Sequence, residues 1–188
     1  MKNKLMGLVL ATLSLTACNG ANTEQANTDV PAAASPQAEE TTADMPATSA
    51  ILDSYLALKN ALAADDGAAA AKAGDAMVSA MGKFDKAALT QEQQGVYDDI
   101  IADAREHAEH IGQNADKIEH QREHFEILSK DMYDFVKAFG TSQTLYQDFC
   151  PMYNNNKGAF WLSSTKEISN PYLGKSMPAC GQVKEEIN

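Results

Sequence analysis

The chain has 188 residues, 44% of them hydrophobic and only 7% aromatic, and a formal net charge of −11. This acidic balance excludes a general nucleic-acid binder, because such a protein needs a basic face to displace counterions from phosphates. The length fits about one domain, and three cysteines form an odd count that an internal disulfide alone cannot explain.

Residues 1–17 predict the signal peptide of a bacterial lipoprotein. Two lysines precede an apolar run of about ten residues, which is too short to span a bilayer. The run ends in Leu15-Thr16-Ala17-Cys18, which resembles the bacterial lipobox, in which the cysteine is acylated and becomes the new N-terminus. The alternative is a plain signal peptide with a chance cysteine, but residue types and spacing favour lipidation of Cys18. We therefore expect a chain anchored by lipid in the bacterial cell envelope, facing the periplasm or exposed at the surface.

Residues 18–49 predict the lipidated cysteine and a disordered tether. This stretch is rich in Ala, Thr and Pro and carries five acidic residues and no basic residue. It cannot bury enough apolar surface to offset the entropy of ordering. Cleavage after residue 17 removes two lysines and leaves a net charge of −13, which is more typical of solubility than of a particular partner.

Residues 50–188 predict one folded domain that begins with helices. Apolar residues recur at helical spacing from Ile51 to Leu62, again within residues 68–84, and after the capping-box pattern Thr90-x-x-Gln93. A seven-residue repeat of apolar residues marks a buried stripe through residues 96–138. The pattern leaves open whether that stretch is one long helix or two helices with a break near Gly112 to Asp116. The predicted fold class is all-α, an antiparallel four-helix bundle followed by an irregular segment.

Residues 141–188 predict that irregular segment, with short β pieces around residues 160–162 and 166–168. It contains three prolines, and its aromatic residues argue against disorder. A long irregular stretch on a compact domain is usually functional or disordered. We therefore expect the functional chemistry here.

Two sulfur-rich stretches in this segment form the strongest candidate site. Cys150-Pro151-Met152 and Met177-Pro178-Ala179-Cys180 each offer one thiolate and one thioether. Soft sulfur ligands select Cu(I) and Ag(I), whereas zinc usually takes Cys and His rather than Met. A Cys150–Cys180 disulfide fits the spacing and an oxidising compartment equally well, and both methionines would then be ordinary packing residues.

Further motifs resemble a known family. They are Ile118-Glu119-x-Gln121-Arg122-x-x-Phe125, Cys150-Pro151-Met152, Trp161-Leu162-Ser163, Asn170-Pro171-Tyr172-x-Gly174 and Met177-x-x-Cys180-Gly181. Together they resemble, over most of residues 51–184, an uncharacterised bacterial domain family. That family occurs in small envelope lipoproteins and appended to periplasmic adaptor subunits of copper and silver efflux pumps. The Cys-Pro-Met triplet is also similar to that of heavy-metal-binding modules in copper-exporting systems.

The resemblance implies a soft-metal site made by Cys150, Met152, Met177 and Cys180. The expected ion is Cu(I), with Ag(I) or zinc as alternatives. The expected partners are the membrane, through the lipid anchor, and a metal-efflux adaptor or metallochaperone.

All four histidines lie within 18 residues, as two pairs, His107 with His110 and His120 with His124. Each pair is one turn apart on a helix, but on one straight helix the two pairs would lie about 21 Å apart and could not share a site. The ordinary interpretation is exposed helical histidines, with His107 in the core. Because His124 falls in the family-like segment, it is the best histidine candidate to complete the sulfur site.

The run His120-Gln121-Arg122-Glu123-His124 fits the inverted zinc-peptidase signature, in which two histidines bind zinc and the glutamate activates water. Such enzymes are much larger and need a distant third ligand, so a zinc hydrolase is a remote alternative and we expect no enzyme. We also predict that Arg122 pairs with acidic residues of the C-terminal segment and so docks that segment on the helices. The alternative is that Arg122 is a solvated surface charge.

The leading hypothesis is therefore a lipid-anchored envelope protein that binds Cu(I) for sequestration or hand-over to efflux. The second is a non-catalytic structural or interaction module closed by a Cys150–Cys180 disulfide.

Overall fold

A computed structural model describes residues 46–188, with side chains from residue 48 onward. The predicted signal peptide, Cys18 and the tether up to residue 45 lie outside the described residues. Within the described part, four long helices precede three strands: α1 (Pro46–Ala63), α2 (Gly67–Gly82), α3 (Gln91–Gln113), α4 (Ile118–Phe139), β1 (Leu145–Cys150), β2 (Ala159–Ser163) and β3 (Gln182–Ile187). The prediction of a mostly helical domain with four helices is confirmed in outline, and a small antiparallel sheet replaces much of the predicted irregular segment. None of the helices in residues 46–188 is long and apolar enough to cross a membrane.

Local sequence signals set the helix ends. Asp66 caps α2 by accepting a hydrogen bond from the backbone N–H of Ala69. The capping box predicted at Thr90 and Gln93 is present at the start of α3. Asn114 ends α3 and a new helix starts at Ile118, so the stretch predicted as one or two helices is two. Helix α1 begins at Pro46, four residues before the predicted domain boundary, and proline suits a first helical turn.

The helices pack antiparallel around one core. The Tyr97 hydroxyl on α3 donates to the carbonyl of Met81 near the end of α2. The Tyr55 hydroxyl on α1 lies 2.8 Å from Ser129 Oγ on α4 and accepts the backbone N–H of Leu162 on β2. Most of the predicted buried stripe is confirmed. Ile111, Phe125, Met132 and Val136 are buried, and Ile118 is half-buried.

The three strands form an antiparallel sheet in the order β2-β1-β3, which packs on α4 and α1. The β piece predicted at residues 160–162 is confirmed within β2, where Trp161 and Leu162 are fully buried. The prediction of a β piece at 166–168 is wrong, because that stretch lies outside the sheet and starts with two exposed charged residues. Strands β1 and β3 were not predicted.

Arg122 docks the C-terminal segment onto the helices. Its guanidinium is buried and donates from Nε to the Pro171 carbonyl at 2.9 Å and from Nη2 to the Leu62 carbonyl at 3.1 Å. It also pairs with Asp65 just beyond α1 and with Glu119 one turn earlier on α4. The predicted docking is confirmed, but the group that Arg122 reaches in the C-terminal segment is a backbone carbonyl rather than an acid. We call Arg122, Asp65 and the backbone of residues 171–175 the arginine clamp.

Gly174 completes the arginine clamp through its backbone. Its φ of 51° lies in the left-handed region, and a Cβ there would collide with the Asp65 carboxylate and the Arg122 guanidinium. The next residue, Lys175, donates its backbone N–H to Asp65 Oδ2 at 3.0 Å. Only glycine fits this close approach without strain.

Candidate metal centres

The sheet brings Cys150 and Cys180 together. Cys150 ends the central strand β1, and Cys180 lies two residues before β3, whose first residue, Gln182, pairs with Phe149. The two Sγ atoms are 2.6 Å apart, and both cysteines are free. Cys150 is fully buried, whereas Cys180 is half-buried. The sequence prediction that these two stretches form one sulfur pair therefore agrees with their placement.

Asn170 holds the loop that carries Cys180. Its side-chain amide donates to the Cys180 carbonyl at 2.6 Å, and its Oδ1 accepts the backbone N–H groups of Tyr172 and Leu173. Its own backbone N–H donates to the Pro178 carbonyl. Asn170 is fully buried, so these bonds satisfy a polar side chain that water cannot reach. The Asn-Pro-Tyr-x-Gly motif thus has a local structural purpose.

The sulfur pair is compact. Two thiolates bound to one ion at about 2.3 Å in a tetrahedral arrangement are about 3.8 Å apart, so a metal would require the pair to open by more than about 1 Å. A disulfide would instead require it to close to about 2.05 Å. Burial and the neighbouring Cys150 thiol raise the pKa of Cys180 to about 11, against the opposing effect of the Met152 backbone N–H. At neutral pH the thiol keeps its proton until a metal or an oxidant displaces it.

The two candidate thioethers lie in the turns beside the cysteines and are exposed. Met152 is 50% exposed and Met177 is 37% exposed, whereas Met77 and Met132 are fully buried. The Met152 N–H reaches Cys180 and so joins the two stretches, whereas the Cys180 N–H donates to the Met177 carbonyl within its own turn. Neither methionine is a core residue, unlike the packing residues expected for the disulfide alternative.

The structure does not bring His124 to the sulfur pair. Asn154, in the left-handed turn after Met152, bonds to Glu126 on α4 at 3.1 Å. His124 precedes Glu126 by two residues, which is about 200° around the helix, and therefore faces the other way. It faces α3.

His124 instead belongs to a cluster of all four histidines at the α3–α4 hairpin. Its Nδ1 lies 2.9 Å from His107 Nδ1, and its Nε2 lies 3.2 Å from His120 Nε2. The ring of His110 stacks on it, with centroids 4.4 Å apart and planes inclined by 4°. We call these four residues the histidine cluster. One ligand atom each from His110, His120 and His124 lie within 4.8 Å of one another.

The four rings of the histidine cluster are half-buried. Burial lowers the pKa of His107 and of His124, and for His124 the three neighbouring imidazoles lower it further. Both rings are therefore neutral at pH 7, which is the form that binds metals. His120 Nδ1 also lies 3.2 Å from Glu123 Oε2.

These contacts give residues of the zinc-peptidase pattern structural roles. Gln121 and Arg122 inside the motif are buried structural residues, since Gln121 donates to the carbonyls of Gly67 and Ile111. Glu123 bonds to a histidine ring of its own motif, where it orients that ring.

Comparison with known families gives a match for the helical part of the chain. The family described as a protein of unknown function, DUF3347, matches residues 51–144. The chain belongs to this family. The match spans all but the first residues of α1, all of α2, α3 and α4, and ends just before β1. Neither a curated protein nor a solved structure matches the chain.

The matched part of this DUF3347 chain contains the histidine cluster, whereas the cysteine motifs lie beyond residue 144. The resemblance to an uncharacterised family is thus confirmed over residues 51–144. Its extension to the motifs of residues 150–181 and the link to lipoproteins and efflux adaptors stay predictions.

Sequence reasoning missed the histidine cluster as a site, although a signal was present. Positions 107 and 124, and positions 110 and 120, are nearly symmetric about Ala115, which lies in the break between α3 and α4. A fold-back at that break places each α3 histidine opposite an α4 histidine. On one straight helix the two histidine pairs would lie far apart, and the sequence did not decide whether the helix breaks between them. The site was therefore not predicted.

Proposed function

We propose that this DUF3347 chain is a lipid-anchored protein of the bacterial envelope that binds a soft metal ion, Cu(I) or Ag(I). It sequesters the ion or hands it to an efflux adaptor or metallochaperone. The observation that carries the proposal is the convergence of Cys150 and Cys180 beside two exposed methionines.

The chemistry of the donors selects the ion. Two thiolates and thioethers form a soft set that favours Cu(I) and Ag(I) over zinc. Exposed thioethers at Met152 and Met177 offer a path for ligand exchange at the surface, while the buried Cys150 anchors the inner side. This asymmetry suits a protein that accepts an ion and releases it.

Competition for Cu(I) tests this proposal. The full chain, kept reduced, is titrated against a chromogenic Cu(I) chelator. We expect one ion per chain, lost on Cys150→Ser with Cys180→Ser and weakened on Met152→Leu with Met177→Leu. The control is Met132→Leu, which removes a thioether from the core at similar volume and leaves Cu(I) affinity unchanged. A wild-type chain that fails to compete, or affinity that ignores all four sulfur substitutions, overturns the proposal.

A second candidate is favoured by the 2.6 Å separation of the two sulfur atoms. Here Cys150 and Cys180 form a disulfide, and the chain is a structural or interaction module without a metal at this site. Thiol counting on protein isolated from the envelope distinguishes the two. Two thiols that react only after reduction, with no Cu(I) bound in their reduced form, establish the second candidate.

The third candidate is a zinc hydrolase that uses His120, Glu123 and His124. Peptidase activity that needs zinc and is lost on Glu123→Gln would support it.

A further inference from the structure

We infer that the histidine cluster is a separate site for a divalent ion of borderline softness, with Zn²⁺ as the probe. His110, His120 and His124 are the ligands, and His107 positions His124. This site shares no residue with the sulfur pair and does not rest on the proposed function. It binds through imidazole nitrogens, which suit Zn²⁺, Cu²⁺ and Ni²⁺, rather than through sulfur.

The spacing of the nitrogens fits such an ion. Zn–N bonds of about 2.0–2.1 Å at tetrahedral angles place two nitrogens about 3.3 Å apart. His120 Nε2 and His124 Nε2 are 3.2 Å apart. One ring nitrogen of His110 lies within 4.8 Å of a ring nitrogen of His120 and of His124. Because the His110 ring stacks parallel to that of His124, it has to turn out of the stack to point a lone pair at the same ion. Three histidines leave a fourth position for water.

The outer contacts prepare both Nε2 atoms as ligands. Glu123 is placed to accept a hydrogen bond from His120 Nδ1 at 3.2 Å, which leaves the lone pair of His120 on Nε2. His107 Nδ1, at 2.9 Å, is placed to accept the Nδ1–H of His124, which leaves the lone pair of His124 on Nε2. Metal-binding histidines generally use their second nitrogen in this way. His107 is thus a positioning residue.

The close approach of the two Nε2 atoms has a cost that a cation removes. With both lone pairs on Nε2, His120 and His124 would face each other without a proton between them, so one ring must adopt the other tautomer. A cation between the two nitrogens satisfies both lone pairs at once.

A bound ion would join α3 to α4. His110 comes from α3, whereas His120 and His124 come from α4, so the ligands cross the hairpin. Binding energy at such a site adds to the stability of the folded chain. Zinc is therefore expected to raise the unfolding temperature of the chain.

The experiment uses the full chain carrying Cys150→Ser and Cys180→Ser, which removes the sulfur pair and keeps all four histidines. Zn²⁺ binding is measured in competition with a chromogenic chelator, and Co²⁺ is used for the absorption of a tetrahedral site. We expect one Zn²⁺ per chain and a tetrahedral Co²⁺ spectrum. His120→Ala with His124→Ala abolishes both signals, and Gln113→Ala, an exposed change on the same turn of α3 as His110, preserves them.

The positioning role of His107 has its own readout. His107→Phe is expected to weaken Zn²⁺ binding about 10- to 100-fold while the Co²⁺ site stays tetrahedral. His107→Gln, which keeps a hydrogen-bond acceptor, recovers part of that loss. An affinity that is the same in the His107→Phe variant and the parent chain would contradict the positioning role.

Two results would overturn the site. One is Zn²⁺ binding that is unchanged on His120→Ala with His124→Ala. The other is Zn²⁺ binding that is present in the wild-type chain and absent once the cysteines are replaced, which assigns the ion to sulfur. Because the sulfur proposal is tested with Cu(I) on a chain with intact histidines, either proposal can fail while the other stands.

Discussion

The α3–α4 hairpin and the C-terminal segment each gather metal-binding side chains, but they do so over different lengths of chain. The four histidines lie within 18 residues and meet because a helix folds back at Asn114 to Lys117. The two cysteines are 30 residues apart and meet through a sheet, the Asn170 loop and the arginine clamp. The hairpin site depends on one supersecondary element, whereas the sulfur pair depends on the whole domain. Three changes test this difference, in order of expected size.

Arg122→Leu should have the largest effect. It leaves the Pro171 and Leu62 carbonyls without their donor, and two buried acceptors left unsatisfied cost about 4 kcal/mol together. The carboxylates of Asp65 and Glu119 also lose their partner, but they are partly or mostly exposed. The free energy of unfolding from urea denaturation measures this loss. We expect Cu(I) affinity to fall with it, while Zn²⁺ binding at the hairpin persists. The exposed pair of Lys130 with Asp134 supplies the control, since Lys130→Ala should cost less than about 0.5 kcal/mol. A loss of both metals with Arg122→Leu would show that the hairpin does not fold independently of the clamp.

Asp148→Asn should change the pH dependence of stability. Burial raises the pKa of Asp148 from 3.8 to about 6, against the opposing effects of the Lys59 charge and the Trp161 indole. Within residues 48–188 neither carboxylate oxygen makes a hydrogen bond of good geometry. The folded chain therefore binds this proton more tightly than the unfolded chain. This tighter proton binding contributes about 3 kcal/mol to the free energy of unfolding. The contribution is full below about pH 4 and is lost as the pH rises through about 6.

Denaturation at several pH values measures that contribution as a difference in the slope of the unfolding free energy against pH. Asp148→Asn should remove it between about pH 4 and 6. Asp131 on α4 has a pKa raised to about 6 by burial and by Asp103, so Asp131→Asn should change the slope in the same sense from the helical region. An unchanged slope with Asp148→Asn would mean that water reaches the carboxylate.

Thr90→Ala should have the smallest effect and should act on the helices alone. It removes the side-chain acceptor for the Gln93 N–H and costs about 1 kcal/mol. Thermal unfolding measures the loss, and thiol reactivity of Cys150 and Cys180 should stay unchanged. Faster thiol modification in this variant would argue against separate behaviour of the two regions.

The helices were predictable because their signals are local. The Thr90 capping box and the apolar spacing act within one or two turns of chain. Strand β1 escaped prediction because a bulge between Gln147 and Asp148 interrupts its alternation and because a buried position holds an acid. Strand β3 is an exposed edge with only Ile187 buried, so its sequence carries almost no apolar pattern.

The candidate sites were predictable to different degrees for the same reason. The pairing of Cys150 with Cys180 followed from residue chemistry, whatever fold joined them. The histidine cluster required the location of a turn, and no glycine-proline signal marks Asn114 to Lys117 strongly enough to decide it. Arg122 was recognised as a docking residue, but its backbone acceptors carry no sequence signature.

The arginine clamp also has a consequence for the order in which the chain assembles. Asp65 joins partners 57 and 110 residues away along the chain, at Arg122 and Lys175. Contacts of such separation form late, because the loop between them must close first. The segment with the cysteines should thus be the last to become ordered and the first to open, as one cooperative unit. In hydrogen exchange, the backbone amides of Leu162 and Lys175 should exchange together and earlier than those in the middle of α4, so that a brief opening exposes Cys150 while the helices stay folded.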